Sequence, residues 1–396
     1  MRRLTCGWIV LLITAAVFLA GCGGKQGSSL REVPVGVVIE QTGPQAVWGL
    51  PRVEAMQVAA YQIEKAGGFD VSGTKYKLKL LIYDNRSKPD ESVAFVKRLL
   101  DVDKVKILFA TQTTPCTLPV LDLIRGRQVL HFTAATAHQK MLGQPGYEYS
   151  FNCYNADFGP NGTANKLVDY VLRKIPGVKK VAFLDQNNAL GKMLVPIYSE
   201  ACRARGLEVV AEEYYPTGTT DFYPQLSKIA ALKPDLLFMG NTDEDVRPML
   251  KQALELGFRN FATNRITPKV ALERKDDIAS GHFIGVEEKN FLDPQTRSLP
   301  GVQEFITDYK HLFGREPDYA MIPRAAAVYE PLYAIVEAMK KTGTVEDVPK
   351  LAAALHGMRY EGKIWTISFD GKGQILVDYF MYDVHDGQIE REHVTP

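Results

Sequence analysis

From Pro34 to the C-terminal region, short apolar runs alternate with amphipathic stretches, and the alternation falls into two similar sets. Strands and helices in strict alternation bury themselves best as parallel sheets with helices on both faces, an α/β architecture. A continuous apolar strand is expected at residues 35–39. The helix expected after it, 50–65, sets Val53, Met56, Ala59, Ala60 and Ile63 on one stripe and stops at Gly67-Gly68. Further strands are expected at 78–82, 105–110 and 129–133, with helices at 90–101 and 116–125. After the turn-rich 143–146 comes the second set: helices at 161–174, 192–205, 222–232 and 246–256, around strands at 181–184, 209–214 and 236–239. Past Gly281 there remain a strand at 283–286, helices near 302–313, 325–341 and 348–355, and two strands, 364–369 and 375–383, joined by Asp370-Gly371-Lys372-Gly373. These are too few for a third domain and are expected to return to the first two.

The chain is therefore expected to form two lobes, one from 33–153 plus 286–357 and the other from 154–285 plus 358–396. A chain that crosses repeatedly between two α/β lobes makes a cleft with a hinge. Ligands of open parallel sheets sit beyond the carboxyl ends of the strands, so that cleft is the expected site.

The N-terminus reads as a leader followed by a tether. Arg2 and Arg3 precede an apolar core at 8–18, and Leu19-Ala20-Gly21-Cys22 has the form of a bacterial lipoprotein cleavage box. Residues 1–21 are expected to be a signal peptide and 22–32 a lipidated tether, with acyl chains on Cys22 and flexible Gly23 to Ser29 behind it. The apolar stretch is shorter than the about 20 residues a spanning helix needs. The whole chain has 47 basic and 46 acidic residues, net +1; without Arg2 and Arg3 the balance is −1. Such neutrality argues against nucleic acid as a partner. Behind the leader lie Cys116, Cys153 and Cys202, an odd number for an exported chain, so at least one thiol should be free. A Cys116–Cys153 bridge and two or three buried free thiols both remain open. No cysteine or histidine spacing suggests a metal site, and no cofactor motif is present.

The candidate binding residues lie where strands end. Thr111-Gln112-Thr113-Thr114-Pro115 follows a strand and opens a helix, so hydroxyls and free helix N–H groups converge where an anion would be held. Thr113 or Thr114 could equally cap that helix. Ala134 and Thr136 lie at the exit of the next strand. Trp48, in the 43–49 loop, is a candidate wall for an apolar or aromatic group, and Tyr319, after Pro317, occupies a comparable place.

Taken in order, Val35-Gly36-Val37-Val38, Gln41-Thr42-Gly43-Pro44, Lys65-Ala66-Gly67-Gly68, Tyr83-Asp84-Asn85, Thr133-Ala134-Ala135-Thr136, the run from Glu212 to Phe222, and Leu250-Lys251-Gln252-Ala253 resemble the leucine/isoleucine/valine-binding family of solute receptors. The resemblance covers nearly the whole chain after the leader. It implies a type I periplasmic binding protein, a Venus flytrap that closes on a small polar ligand and presents it to an ABC permease and its ATPase. It also implies that the 111–115 loop grips a ligand carboxylate, and that Ala134 and Thr136 hold the ligand's amine and carboxylate. Departures lie in the second lobe: Leu190 and Thr242 stand where relatives carry tyrosines, and Arg265 stands near the place of an acid that pairs the ligand's ammonium. A guanidinium there would favour a second carboxylate or carbonyl on the ligand.

The expected function is an extracytoplasmic, lipid-anchored, monomeric receptor for an amino acid or small carboxylate-bearing compound. The alternative is a ligand sensor for a signalling partner on the same fold. Catalysis is not expected, since no nucleophile elbow, phosphate loop or His-Glu-x-x-His occurs.

Overall fold

The computed structural model describes residues 30–134, 141–153, 162–240, 242–264, 266–278, 280–288, 294–317, 325 and 327–395. The first lobe is built on strands β1 (Arg31–Ile39), β2 (Phe69–Val71), β3 (Thr74–Asp84), β4 (Ile107–Ala110), β5 (Leu130–Thr133) and β6 (Ser150–Asn152). Their order is β2-β3-β1-β4-β5-β6. All pairs are parallel except the β2–β3 hairpin, whose two turn residues, Ser72 and Gly73, both have positive φ, as a tight hairpin turn requires.

The second lobe carries β7 (Lys180–Gln186), β8 (Glu208–Tyr215), β9 (Leu236–Met239), β10 (Asn260–Thr263) and β11 (His282–Glu288), extended by β15 (Tyr379–His385) and β16 (Gln388–Val394). The order is β16-β15-β11-β10-β9-β7-β8. Without β2, and without the antiparallel β15 and β16, both lobes show one doubly wound arrangement: β3-β1-β4-β5-β6 and β8-β7-β9-β10-β11. In each, the strand order reverses between the first strand and the third, which is where such sheets bind ligands.

Helices cover both faces. In the first lobe, α1 (Ala46–Lys65), α10 (Pro300–Phe313), α11 (Tyr329–Thr342) and α12 (Val348–Leu355) pack on one face, and α2 (Pro89–Asp101) and α3 (Thr114–Ile124) on the other. The second lobe has α4 (Thr163–Lys174) and α5 (Ala189–Arg203) on one face. Its other face carries α6 (Tyr223–Ala231), α7 (Asp243–Glu255) and the short α8 (Pro268–Leu272). Beside α10 stands the short α9 (Pro294–Ser298).

The late helices return to the first lobe, as expected, and buried polar bonds hold them there. Gln62 of α1 donates to Asp308 of α10 at 2.9 Å, and the hydroxyl of Tyr333 on α11 donates to Gln62 at 2.8 Å. Tyr309 likewise donates to Glu54 at 2.7 Å. Such bonds cost little when complete and much when one partner is missing, so they fix which helices may neighbour α1.

The division between lobes differs from the expected one in two places. Val286 to Glu288 belong to β11 and pair with β15 in the second sheet. Residues 359–377 belong to the first lobe: β12 (Arg359–Glu361), β13 (Thr366–Phe369) and β14 (Ile375–Val377) form a three-stranded sheet whose Ile367, Phe369, Ile375 and Val377 join the first core. The expected single strand at 375–383 is cut at Asp378, where the chain passes from one lobe's sheet to the other's. The Asp378 carboxylate accepts the Thr366 amide at 2.9 Å on one side and faces His393 Nε2 of β16 at 2.9 Å on the other. The chain also leaves the first sheet after β6 and the second after β11, in each case from the carboxyl end of the strand.

Strands β2, β6, β10, β12 and β16 had no counterpart in the sequence reading; the first four are only three or four residues long, whereas β16 has seven. Cys116, Cys153 and Cys202 are all buried and free. Burial pushes the Cys202 thiol up to about 12 and the Cys153 thiol further, which keeps both protonated and unreactive. Among the described residues no helix is long and apolar enough to cross a membrane, and no cluster of side chains suits a metal ion.

Candidate ligand cleft at the strand ends

In the first lobe the loop from β1 to α1 is organised by Asp84 at the end of β3. Its carboxylate accepts the amides of Gln41, Thr42 and Arg86 at 3.0, 3.2 and 2.8 Å and the Thr42 hydroxyl at 2.6 Å. Partial burial opposes ionisation, but these four bonds prevail and hold Asp84 below its ordinary value. Ser87 completes the loop, donating to the Thr42 carbonyl at 3.0 Å and accepting the Gln45 amide at 3.1 Å.

The central element is Glu40, directly after β1 and fully buried. It lies across the gap from the β4–α3 loop, and its carboxylate accepts the Gln112 amide at 3.1 Å, the Thr113 amide at 3.2 Å and the Thr113 hydroxyl at 2.8 Å. The converging donors expected there are present, and the chain's own acid holds them. Thr113 is the residue before α3, yet its side chain makes no cap bond, because its hydroxyl donates to Glu40. The helix-cap reading of Thr113 does not describe its side chain, whose hydroxyl Glu40 takes. Thr114 is the first residue of α3 and is exposed. Beneath them, Thr133 donates to the Thr111 carbonyl at 2.7 Å and His131 Nε2 lies 2.7 Å from the Ala110 carbonyl. Complete burial pushes His131 down to about 4 even though that carbonyl favours the charged form, so the ring is neutral and donates.

In the second lobe, β7 ends in Asp185 and Gln186. Gln186 Nε2 donates to Asp245 on the first turn of α7 at 3.4 Å, and the Tyr215 hydroxyl donates to the Gly240 carbonyl at 3.1 Å. Phe183, Phe238, Leu194 and Tyr198, with Asp185 and Asn264, line a small crevice here. Enclosing about 20 Å³, it has room for about one water.

The remaining expected residues fall as follows. Ala134 is buried at the exit of β5. Trp48 is not in a loop, because α1 begins at Ala46 and takes it into the first turn; Leu190 is likewise in the first turn of α5. Thr242 caps α7, its hydroxyl accepting the Asp245 amide at 3.2 Å, and is exposed. The side chains of Trp48 and Leu190, and all of Thr136, Arg265, Tyr319 and Cys22, lie outside the described residues. Glu40 was missed by sequence reasoning. Its one signal was an acid placed directly after a strand apolar enough to be central.

The sequence profile of the periplasmic binding protein family matches residues 32–388. The Leu/Ile/Val-binding protein homolog 3 of Brucella melitensis is 25% identical over 386 residues, covering 96% of this chain and 98% of that one. A solved ABC-transporter solute-binding protein from Rhodopseudomonas palustris, in complex with 3,4-dihydroxybenzoic acid, is 23% identical with a TM-score of 0.61, covering 92% and 96%. The Streptococcus pneumoniae branched-chain amino acid binding protein LivJ, in complex with isoleucine, is 19% identical with a TM-score of 0.60, covering 92% and 100%. These structures share the two-lobed α/β fold of this chain. The chain belongs to the periplasmic binding protein family, whose members bind solutes.

Proposed function

We propose that this protein is the solute receptor of an ABC importer, held outside the cytoplasm by lipid on Cys22, and that it traps an amino acid or small carboxylate-bearing compound between its lobes for a permease. The observation that carries the reading is the matching switch point in each lobe; set facing across a cleft, the two would let one solute bridge both lobes and so favour the closed form. The relatives' ligands, isoleucine and 3,4-dihydroxybenzoic acid, mark the range to search. Thr113, Thr114, Ala134, Thr136, Trp48, Leu190, Thr242, Arg265 and Tyr319 are the residues proposed to face the solute. Thermal unfolding of the purified protein against amino acids and aromatic and aliphatic acids is the test. A rise in Tm with one class, followed by calorimetric binding at one site per chain, is expected; no rise with any member would overturn the proposed ligand class.

A further inference from the structure

We propose that Glu40 is a specificity-determining residue: it occupies from within the anion cradle of the first lobe, so the part of a solute that abuts the Gln112–Thr113 loop is uncharged or cationic. The inference rests on the proposed cleft and narrows what fits it. Two backbone amides and a hydroxyl converge at the opening of α3, an arrangement that favours a negative group. Glu40 supplies that group and is itself fully buried, with all three donors on one carboxylate. The first turn of α3 contains no acid, so no residue of that helix competes for the role. A solute carboxylate brought to the same donors would meet a like charge at contact distance, in a place where solvent screens poorly. A solute carboxylate must therefore be held elsewhere in the cleft, while amide, hydroxyl or ammonium groups suit this loop.

The second lobe shows the alternative. The β1–β4 and β7–β9 pairings place Gln186 in the position of Glu40, and there the acids stand on the helix itself, at Asp243, Glu244 and Asp245. Glu40 is thus a charge at a position where the fold also accepts an amide, which makes Glu40→Gln a mild substitution.

Acetate is the probe for the cradle. Glu40→Ala should melt several degrees below the parent, and acetate should restore part of the loss relative to chloride at equal ionic strength, while the parent gains nothing from acetate. A folded Glu40→Ala protein indifferent to acetate, or a parent stabilised equally, overturns the proposal. For Glu40→Gln, affinities for benzoate against benzamide and for leucine against leucinamide are compared with the parent. The carboxylate should gain at least tenfold over its amide; an unchanged ratio overturns the proposal. Should neither pair bind the parent, the ligand class proposed above fails, and acetate rescue still decides the role of Glu40.

Discussion

Thr113 and Thr242 occupy the same position in the two lobes, one residue ahead of the helix that follows the third strand of each doubly wound set, and they do different work. Thr242 caps α7 in the ordinary way. Thr113 leaves α3 uncapped and donates to Glu40. The difference comes from the end of the neighbouring strand, where the first lobe has an acid and the second an amide. Where acids already stand in the helix's first turn, the strand can end in Gln186; where they do not, the strand supplies one. The lesson is that a helix N-terminus can be neutralised from either of two elements, and only one choice ties neighbouring strand ends together. The first lobe's ledge is locked across β1 and β4 by three bonds to one buried carboxylate, whereas the second lobe's ledge is joined by Gln186 to Asp245 at 3.4 Å and by Tyr215 to Gly240 at 3.1 Å.

The largest expected contrast is in pH dependence. Glu330, deep in the first lobe, accepts the Ile364 amide at 2.8 Å and the Trp365 amide at 3.2 Å; burial outweighs these bonds and raises its carboxyl to about 7. A raised acid contributes stability that is full below its unfolded value of 4.5 and is lost as pH climbs through 7, about 3 kcal/mol in all. His131 has the opposite sign: lowered from 6.5 to about 4, it contributes about 3 kcal/mol that is full above 6.5 and lost as pH falls through 4. The two nearly cancel in the parent. Relative to the parent, Glu330→Gln should add a rise in stability of about 3 kcal/mol from pH 4 to 6.5 in urea titrations, and a profile unchanged from the parent's would break the account.

Next in size are two glycines that let helices rest on strand ends. A Cβ on Gly49 would lie 2.0 Å from the Glu40 carbonyl, and one on Gly191 would lie 2.2 Å from the Gln186 carbonyl. With Glu40 clamped, Gly49→Ala should cost about 3 kcal/mol, and Gly191→Ala, on the looser ledge, about 1 to 2 kcal/mol. Equal losses in denaturant melts would show that the ledges are equally stiff. The threonines follow. Thr113→Val removes a bond to a carboxylate and should cost about 2 kcal/mol, whereas Thr242→Ala removes a cap worth about 1 kcal/mol. The reverse order in thermal melts would remove the distinction between them.

Much of this was legible in the sequence. Periodicity placed most strands and helices within a few residues, because each buries one stripe or a whole strand, and the repeated rhythm announced two lobes. What periodicity does not carry is which sheet a strand joins: 375–383 reads as one mostly apolar run, yet Asp378 divides it between lobes. Short strands such as β10 show too few residues for a period. Trp48 was placed in a loop because its turn lies beside Gly43 and Pro44, but the helix begins earlier, at Ala46. The strand-end loops were found and their donors foreseen; the acceptor was not, because Glu40 is remote in sequence from Gln112 and Thr113 and belongs to no local motif.

Asp378 sets a limit on travel. A single residue separates Val377, in one lobe's sheet, from Tyr379, in the other's, and one residue spans at most about 3.6 Å. Such a leash allows the lobes to swivel but not to part or slide by more than a few ångström along that edge. If the chain is the trap proposed above, its gape would be widest at the opposite rim, and solutes would enter and leave from that side.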